Sequence, residues 1–495
     1  MAPSIQRSVG PADPSPGDEV AVASCSVNAA AAHKLRIGLI PAQDVVSLQQ
    51  ALARACAVQP VELVVLAANA AHEAGALAAV LDLRPNAQDA GPPSRFGTWR
   101  FCWDGMHEVA LAGVAALQAG RRDAGVALMV GERVLEHCRI KTVSHSLPKT
   151  QDRLFAAAAT MPIRMLLLLE AGLTPPASEE PAEVPGTALE PVARLTRAAR
   201  LRNLAGRILR EAWEEQWRVG VLDQTPEQLV AGPDARRITW LPARQQGYHA
   251  DPFGQAGASG RPELVLAEAY DFKERLGYLV AIDRDGSERT VLREPFHLSY
   301  PQLVEHDGQT WLLPEAKAAG LVRLYRGDPF PERFVPGPVL IDGLAAADPT
   351  LFRDSQGFWL FAGDGAAQDE TNLVLYRAPD LLGPWTPHPM NPIKVDLGSA
   401  RPAGPLFRAG GRLWRPAQDC RATYGGAIVL NEVLTLTPDL YLERPGPVLR
   451  PDPAGPCPHG LHTLTPFGQG FLVDGKRESR SLRRWLTGLR SLAGG

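Results

Sequence analysis

Cysteine is scarce. The six residues, Cys25, Cys56, Cys102, Cys138, Cys420 and Cys457, form no C-x-x-C pair, which excludes a zinc ribbon and a dense disulfide scaffold and favours a reducing compartment. No run of about 18 apolar residues occurs, and residues 1–33 lack a basic head followed by an apolar core, so spanning and export have no signal and a cytoplasmic location is expected. Excess charge is also missing. Fifty-one Lys and Arg face 54 Asp and Glu, a net charge of −3, and no basic field exists to hold nucleic acid. GLIPAQ (Gly38–Gln43) is not a G-x-G-x-x-G fingerprint, and no cofactor or metal site is expected.

What is present is a globular balance, 45% hydrophobic and 21% charged over 495 residues, enough for two or three domains. Of the 32 aromatic residues, 24 lie between Trp240 and Phe471. The first half is rich in Ala, Leu and Arg, as helices prefer; the second is rich in aromatics, Pro and D-G or G-G turns, as short strands prefer. The expected architecture is multidomain, an α/β open sheet followed by an all-β propeller. Residues 1–33 read as a disordered leader. The α/β domain spans 34–175, with strands at LRIGLI (Leu35–Ile40), VELVVLAA (Val61–Ala68) and VALMVG (Val126–Gly131), and helices at Val45–Ala57, Glu108–Ala119 and Leu154–Ala171. A Pro- and acid-rich linker and an Arg-rich helical pattern, Pro191–Val219, fill 176–236, and the propeller occupies 237–475.

The propeller expectation rests on repetition. VEHDGQTWLLPE (Val304–Glu315), FRDSQGFWLFAGD (Phe352–Asp364), FRAGGRLWRPAQD (Phe407–Asp419) and TPFGQGFLVDG (Thr465–Gly475) recur at about 50 to 60 residues, near the length of a four-stranded blade, and Pro262–Gly286 adds one more unit. Five blades result. Just upstream of each hairpin stands a short segment: HADPF, LSYPQL, ADPTLF, SARPAGPLF and HGLHTL. First strands line the channel of a propeller, so Asp251, Tyr300, Asp348, Arg401 and His462 are expected to share one funnel. An Asp-Pro pair taken alone is as readily a turn former. Two at equivalent positions suggest paired carboxylates acting at an anomeric carbon.

These segments, in this order, resemble the five-bladed propellers of the arabinanase and β-xylosidase type, where an Asp opens blade one and another opens blade three. HADPF, SYPQLVEHDG with LLPEA, the LYR of Leu324–Arg326, ADPTLF, RPAG with RPAQDC, and GLHTL with VDG are closer to the N-terminal domain of plant glucosamine inositolphosphorylceramide transferases and their bacterial relatives. Those relatives often carry a formyltransferase-like N-terminal domain, which Lys34–Ala171 resembles; FGTWRFCWDG (Phe96–Gly105) stands where formyltransferases have Asn, His and an H-x-S-L-L-P loop, which speaks against formyl transfer. The resemblance implies a glycosyltransferase-like protein acting on a surface glycan, a glycolipid or a glycosylated metabolite. The alternatives are a glycoside hydrolase with a displaced acid and a non-catalytic glycan-binding propeller.

Glycosidase propellers place a general-acid Glu at the start of blade four, where SARPAG holds Arg401. Glu315 is then the candidate proton donor, or an exposed strand-end carboxylate. Asp419 is either a funnel residue or the partner of Arg415. Arg401 either offers a fork to the phosphate of a nucleotide- or phosphate-activated sugar donor or neutralises one of the Asp-Pro carboxylates. His145 in SHSLP is structural. In the tail, 476–495, Leu482, Trp485, Leu486, Leu489 and Leu492 recur at helical spacing among basic residues. Residues 476–492 are expected to dock on the first domain or to make peripheral contact with the inner membrane surface.

Overall fold

The computed structural model describes residues 35–480 apart from 43–45, 67–76, 85–91, 177–194, 212, 257–262 and 284. The leader, most of the linker and the tail from residue 481, with Leu482 to Leu492, lie outside the described residues. Among the described residues no helix is long and apolar enough to cross a membrane. The five described cysteines are free and buried.

The N-terminal domain is an open six-stranded sheet in the spatial order Val61–Val65, Leu35–Ile40, Ala79–Asp82, Thr98–Trp103, Asp123–Val130, Arg133–Lys141. The first four strands are parallel and the last two antiparallel. The apolar runs at Leu35 and Val61 thus form adjacent parallel strands, as their lack of alternation suggests. Helices Val46–Ala57 and Leu147–Glu170 pack against each other, burying Leu48, Leu52, Leu154, Ala158, Met161 and Met165. SHSLP caps the second helix: Ser146 Oγ accepts from the Lys149 N–H at 3.3 Å, with Pro148 in the first turn. The Glu108–Ala119 pattern is split by Gly113 at φ +73° into the turn Val109–Leu111 and the helix Val114–Ala119.

The second region is a five-bladed propeller. Blade 1 comprises Gly247–Gln255, Leu264–Asp271, Leu276–Ile282 and Glu288–Leu292; blade 2, Ser299–His306, Gln309–Glu315, Leu321–Gly327 and Phe334–Asp342; blade 3 begins with Ala346–Asp354, Gly357–Asp364 and Asn372–Ala378; blade 4 is Phe407–Ala409, Arg412–Asp419, Ala427–Leu436 and Tyr441–Leu449. Blade 5 joins both ends of the region: Leu464–Phe467 and Gly470–Arg480 pair onward to Trp213–Leu222 and Ile238–Trp240. Phe471 to Arg480 run opposite Leu222 to Trp213 without a break in register, and this closure leaves the ring no free sheet edge there.

Two expected boundaries shift as a result. The propeller begins at Trp213, because the Arg-rich helix ends at Glu211 and the next residues are a closing strand. Lys476, Arg477 and Arg480 belong to that blade, not to a tail helix. Lys476 is fully buried, its Nζ 2.7 Å from the Tyr424 carbonyl and 2.8 Å from Thr423 Oγ1. Alternate residues of a strand point inward, which carries Lys476 into the blade, and the helical spacing of 482–492 does not extend back over this strand.

The two regions meet along blades 3 and 4. Arg164 is buried and bonds Glu136 and, at 3.1 Å, the Pro392 carbonyl. The Leu397 N–H donates to the Arg139 carbonyl at 2.7 Å, and Lys141 Nζ reaches Glu370 at 2.6 Å.

Candidate functional site

Asp251, Tyr300 and Asp348 sit at equivalent points of three innermost strands, each followed by proline, with φ of +50°, +52° and +48°. A left-handed backbone at a non-glycine residue costs on the order of 1–3 kcal/mol and persists only where the surroundings enforce it. At each point the strand pairing slips between flanking registers, Ala250 and Phe253 in blade 1, Ser299 and Gln302 in blade 2, Ala347 and Thr350 in blade 3. Such bulges re-aim one side chain out of the alternation.

In blades 1 and 3 the same anchor holds the bulge. The Asp251 N–H donates to Asp474 Oδ2 at 2.8 Å, and the Asp348 N–H donates to Glu315 Oε2 at 2.8 Å. Each acceptor belongs to the second strand of the preceding blade around the ring. Both aspartates thereby project into one funnel of about 440 Å³, lined also by Glu315, Arg401 and His462. Tyr300 departs from the expectation. It is fully buried, its hydroxyl lies 2.8 Å from Thr350 Oγ1 and its ring packs edge-on to Phe253. A large ring gains more from the core between blades than from the channel.

Asp251 is held by blade 5. Thr463 Oγ1 donates to its Oδ1 at 2.7 Å, and His462 Nε2 stands 3.5 Å from the same oxygen. The other imidazole nitrogen, Nδ1, lies 2.7 Å from the Asp474 carboxylate, which also accepts the N–H groups of His462, Thr463 and Asp251. Acceptor-only chemistry at Asp474 assigns a proton to Nδ1 and turns Nε2 toward Asp251. The ring stacks on Trp217 with centroids 3.8 Å apart, and Gly425, at φ +56°, makes the room: a Cβ there would lie 2.6 Å from His462 Cβ. Burial pushes Asp251 up to about 6, against His462 and Thr463. Burial would lower His462, but Asp474 and Asp251 outweigh it and the net shift is upward.

Asp348 is held by blade 4. Arg401 Nε donates to Oδ2 at 2.6 Å and Gln418 Nε2 at 2.9 Å. Burial pushes Asp348 up to about 7, with Arg401 pulling it back. Arg401 has no open fork: Nη1 bonds Asp369 Oδ2 at 3.0 Å, Nη2 lies 3.8 Å from Glu315 Oε2, and the plane sits over Tyr424. Its role is neutralisation of Asp348, so phosphate recognition loses the support expected of it.

Asp419 does not line the funnel; it pairs with Arg421, Nη2 to Oδ2 at 2.9 Å. Arg415 instead meets Glu443 at 2.7 Å through two nitrogens, and with Lys394 this holds the Glu443 carboxyl down at about 2 against the push of burial. Glu315 is buried and committed to the Asp348 N–H. Residues not singled out in the sequence complete the funnel: Glu215, Trp217, Tyr248, Glu268, Lys317, Asp369 and Tyr424. Asp474 carried a signal, since VDG closes the fifth hairpin; Trp217 carried none, lying in a stretch read as helix.

Asp251, His462 and Asp474 offer ligand atoms within 4.8 Å of one another. Asp474 is saturated by four donors and Nδ1 by Asp474, so only Nε2 and Asp251 remain to face a cation, too few for a structural metal site.

Residues 287–450 match the family described as glucosamine inositolphosphorylceramide transferase 1, N-terminal. The resemblance read from the hairpin motifs is thus shown over that stretch. Proteins named glucosamine inositolphosphorylceramide transferase 1 from Oryza sativa subsp. japonica and Arabidopsis thaliana are 36% and 31% identical over 161 and 159 residues, 31% of this chain in each case. The matched stretch is 21% and 20% of those proteins, so the chain spans about a fifth of their length. Among solved structures, a GH43_1 enzyme from Xanthomonas citri has 14% identity and a TM-score of 0.33, covering 47% of this chain and 87% of that one. A family 117 glycoside hydrolase of Zobellia galactanivorans has 13% identity and a TM-score of 0.34, covering 55% and 92%.

Proposed function

We propose that the funnel is a carbohydrate-active centre of glycosyltransferase type, acting on a surface glycan, glycolipid or glycosylated metabolite. The observation that carries this reading is the pair Asp251 and Asp348, delivered by the same strained bulge into one buried funnel with both carboxyls pushed toward neutrality. Asp251, with His462 beside it, is the base for an acceptor hydroxyl, and Asp348 stabilises positive charge developing at the anomeric carbon. The match over 287–450 to relatives named as transferases supports transfer over simple cleavage.

The funnel also narrows the sugar. Among the described residues seven carboxyl side chains line it, Glu215, Asp251, Glu268, Glu315, Asp348, Asp369 and Glu370, against the cations Lys317 and Arg401, both already paired with carboxylates. A neutral or amine-bearing sugar fits this field and a phosphate does not. That acid excess favours one second reading, hydrolysis of a glycoside. Thermal shift with glucosamine, N-acetylglucosamine, sugar 1-phosphates and nucleotide sugars tests the choice. A ligand at about 100 times its Kd adds roughly 2.7 kcal/mol, so uncharged or amino sugars should raise Tm measurably. Stabilisation by sugar phosphates alone would overturn it.

A further inference from the structure

We propose that Glu268 is the proton donor of this funnel, the acid that blade 4 lacks. The inference rests on the carbohydrate-active reading above and assigns it a third carboxyl group. Glu268 stands on the second strand of blade 1, in register opposite Ala250, the residue before Asp251. It is buried and lines the same funnel as Asp251 and Asp348.

Its surroundings differ from those of the other six lining carboxyl groups. Thr463 serves Asp251, Arg401 serves Asp348 and Asp369, the Asp348 N–H serves Glu315, Lys141 serves Glu370 and Lys476 serves Glu215. Among the described carboxyl groups of the funnel, Glu268 alone has an oxygen, Oε1, that is buried without a hydrogen bond. His297 Nε2 is 3.3 Å from Oε1, close but out of line for one. His297 Nδ1 accepts the Gly277 N–H at 3.1 Å, so its lone pair is used there and the neutral ring carries its proton on Nε2, facing Glu268. That ring cannot take a proton from the carboxyl group. Burial, and then lysine Lys317, lower His297 and keep it neutral.

The space is also specific. A Cβ at Gly277 would lie 2.5 Å from Glu268 Oε1 and 2.5 Å from His297 Cε1. An absent side chain is what lets the carboxyl group and the imidazole lie side by side. Burial, followed by the charges of Asp251, Glu315, Asp474 and Asp348, pushes Glu268 well above the usual carboxylate range. Tyr248 also lines this wall. A carboxylic acid kept neutral this way can donate at neutral pH.

The step balances without a further reactant. Glu268 gives its proton to the glycosidic oxygen as the C1–O bond breaks and its electron pair stays on that oxygen. The acceptor hydroxyl adds to C1 and passes its proton to Asp251, and solvent exchange restores both groups.

Two measurements on the full chain test this. Difference infrared spectra of wild type minus Glu268→Gln at pH 7 should show the C=O band of a protonated carboxylic acid, and Asp348→Asn, whose own carboxyl group is also pushed upward, should leave that band in place. The band should persist in Asp251→Asn and shift in Gly277→Ala, where the new methyl group meets Oε1. An absent band, or one unaffected by both Glu268→Gln and Gly277→Ala, overturns the assignment whatever the activity. The second measurement compares methyl and 2,4-dinitrophenyl glycosides of glucosamine and N-acetylglucosamine. Glu268→Gln should slow the poor leaving group by about 10²-fold or more and the good one far less; equal losses overturn the donor role. If wild type turns over neither substrate while the band is present, the carbohydrate-active reading fails and the donor role fails with it.

Discussion

Blade 1 and blade 3 present aspartates on the same bulge with the same left-handed φ, yet blades 5 and 4 surround them differently. Asp251 faces an imidazole, a hydroxyl and a buried second carboxylate. Asp348 faces a guanidinium and a carboxamide. The first set can gain and lose protons near neutral pH; the second holds a permanent cation within 2.6 Å. One backbone device thus supplies two chemistries, and the difference lies in residues contributed by neighbouring blades. Blade 2 sharpens the point. With a tyrosine at the equivalent position the bulge survives, but the side chain turns into the core.

If this asymmetry is functional, removing either charge should have unequal effects. Asp251→Asn is expected to lower kcat/KM on a dinitrophenyl glycoside by about 10³-fold and Asp348→Asn by about 10²-fold, because proton abstraction is lost in the first and electrostatic stabilisation in the second. Equal losses would break the comparison, and full activity in both would remove the two aspartates from the catalytic machinery.

Stability should show the opposite order. Arg401→Met leaves Asp348, Asp369 and Glu315 facing one another in a buried site, and breaking such a cluster costs about 3–5 kcal/mol. His462→Ala leaves Asp474 with its three backbone donors and loses chiefly the stacking on Trp217. Thermal unfolding should therefore fall further for Arg401→Met. A larger drop for His462→Ala would show that the imidazole half, not the ion pair, is the structural keystone.

Legibility in the sequence followed locality. The hairpins and the segments ahead of them repeat along the chain, so five blades and the meeting of Asp251, Asp348, Arg401, Glu315 and His462 could be read from it. Trp213–Leu222 pairs with a strand some 250 residues later, and nothing in WEEQWRVGVL announces such a partner. Neither alternative for Asp419 holds, and for the pairing with Arg415 the reason is the same: Glu443 reaches that guanidinium from across the blade. Glu268 was hidden in LAEAYD, where one acid among small and apolar residues reads as an ordinary strand. Its significance appears only with Gly277 and His297 beside it.

The asymmetry also predicts a pH signature. Asp251 and Asp348 have folded pKa values raised from 3.8 to about 6 and about 7. Between the unfolded and folded values the native state binds more protons than the unfolded chain, so stability is fullest below about pH 4 for these groups and falls as pH rises. The share from Asp251 is gone above about 6 and that from Asp348 above about 7. Tm of wild type should decline more steeply between pH 5 and 7 than that of Asp348→Asn, to the extent of a few degrees. Parallel curves would show that Arg401 already keeps Asp348 ionised throughout.

The smallest expected effect concerns the other region of the molecule. Lys141, at the end of the last strand of the α/β sheet, bonds Glu370 through two oxygens at 2.6 and 2.9 Å, and Glu370 lines the funnel. The pair is partly exposed, 39% and 21%, so Lys141→Ala should change stability by less than about 1 kcal/mol. Its kinetic consequence is more specific. Releasing Glu370 leaves a carboxylate of the funnel wall without its ammonium partner, while the proton-transfer groups belong to blades 1 and 5. The result should be a change in KM of a few fold, in opposite directions for neutral and amine-bearing glycosides, with kcat nearly constant. The ammonium of the amino sugar gains a partner, whereas the neutral sugar meets only extra solvation to displace. Raising salt should erase the difference, since the interaction is screened where solvent reaches it. A matched change for both sugars, or a loss confined to kcat, would mean that the α/β domain does not shape the sugar's binding field and that Lys141 only fastens one region to the other.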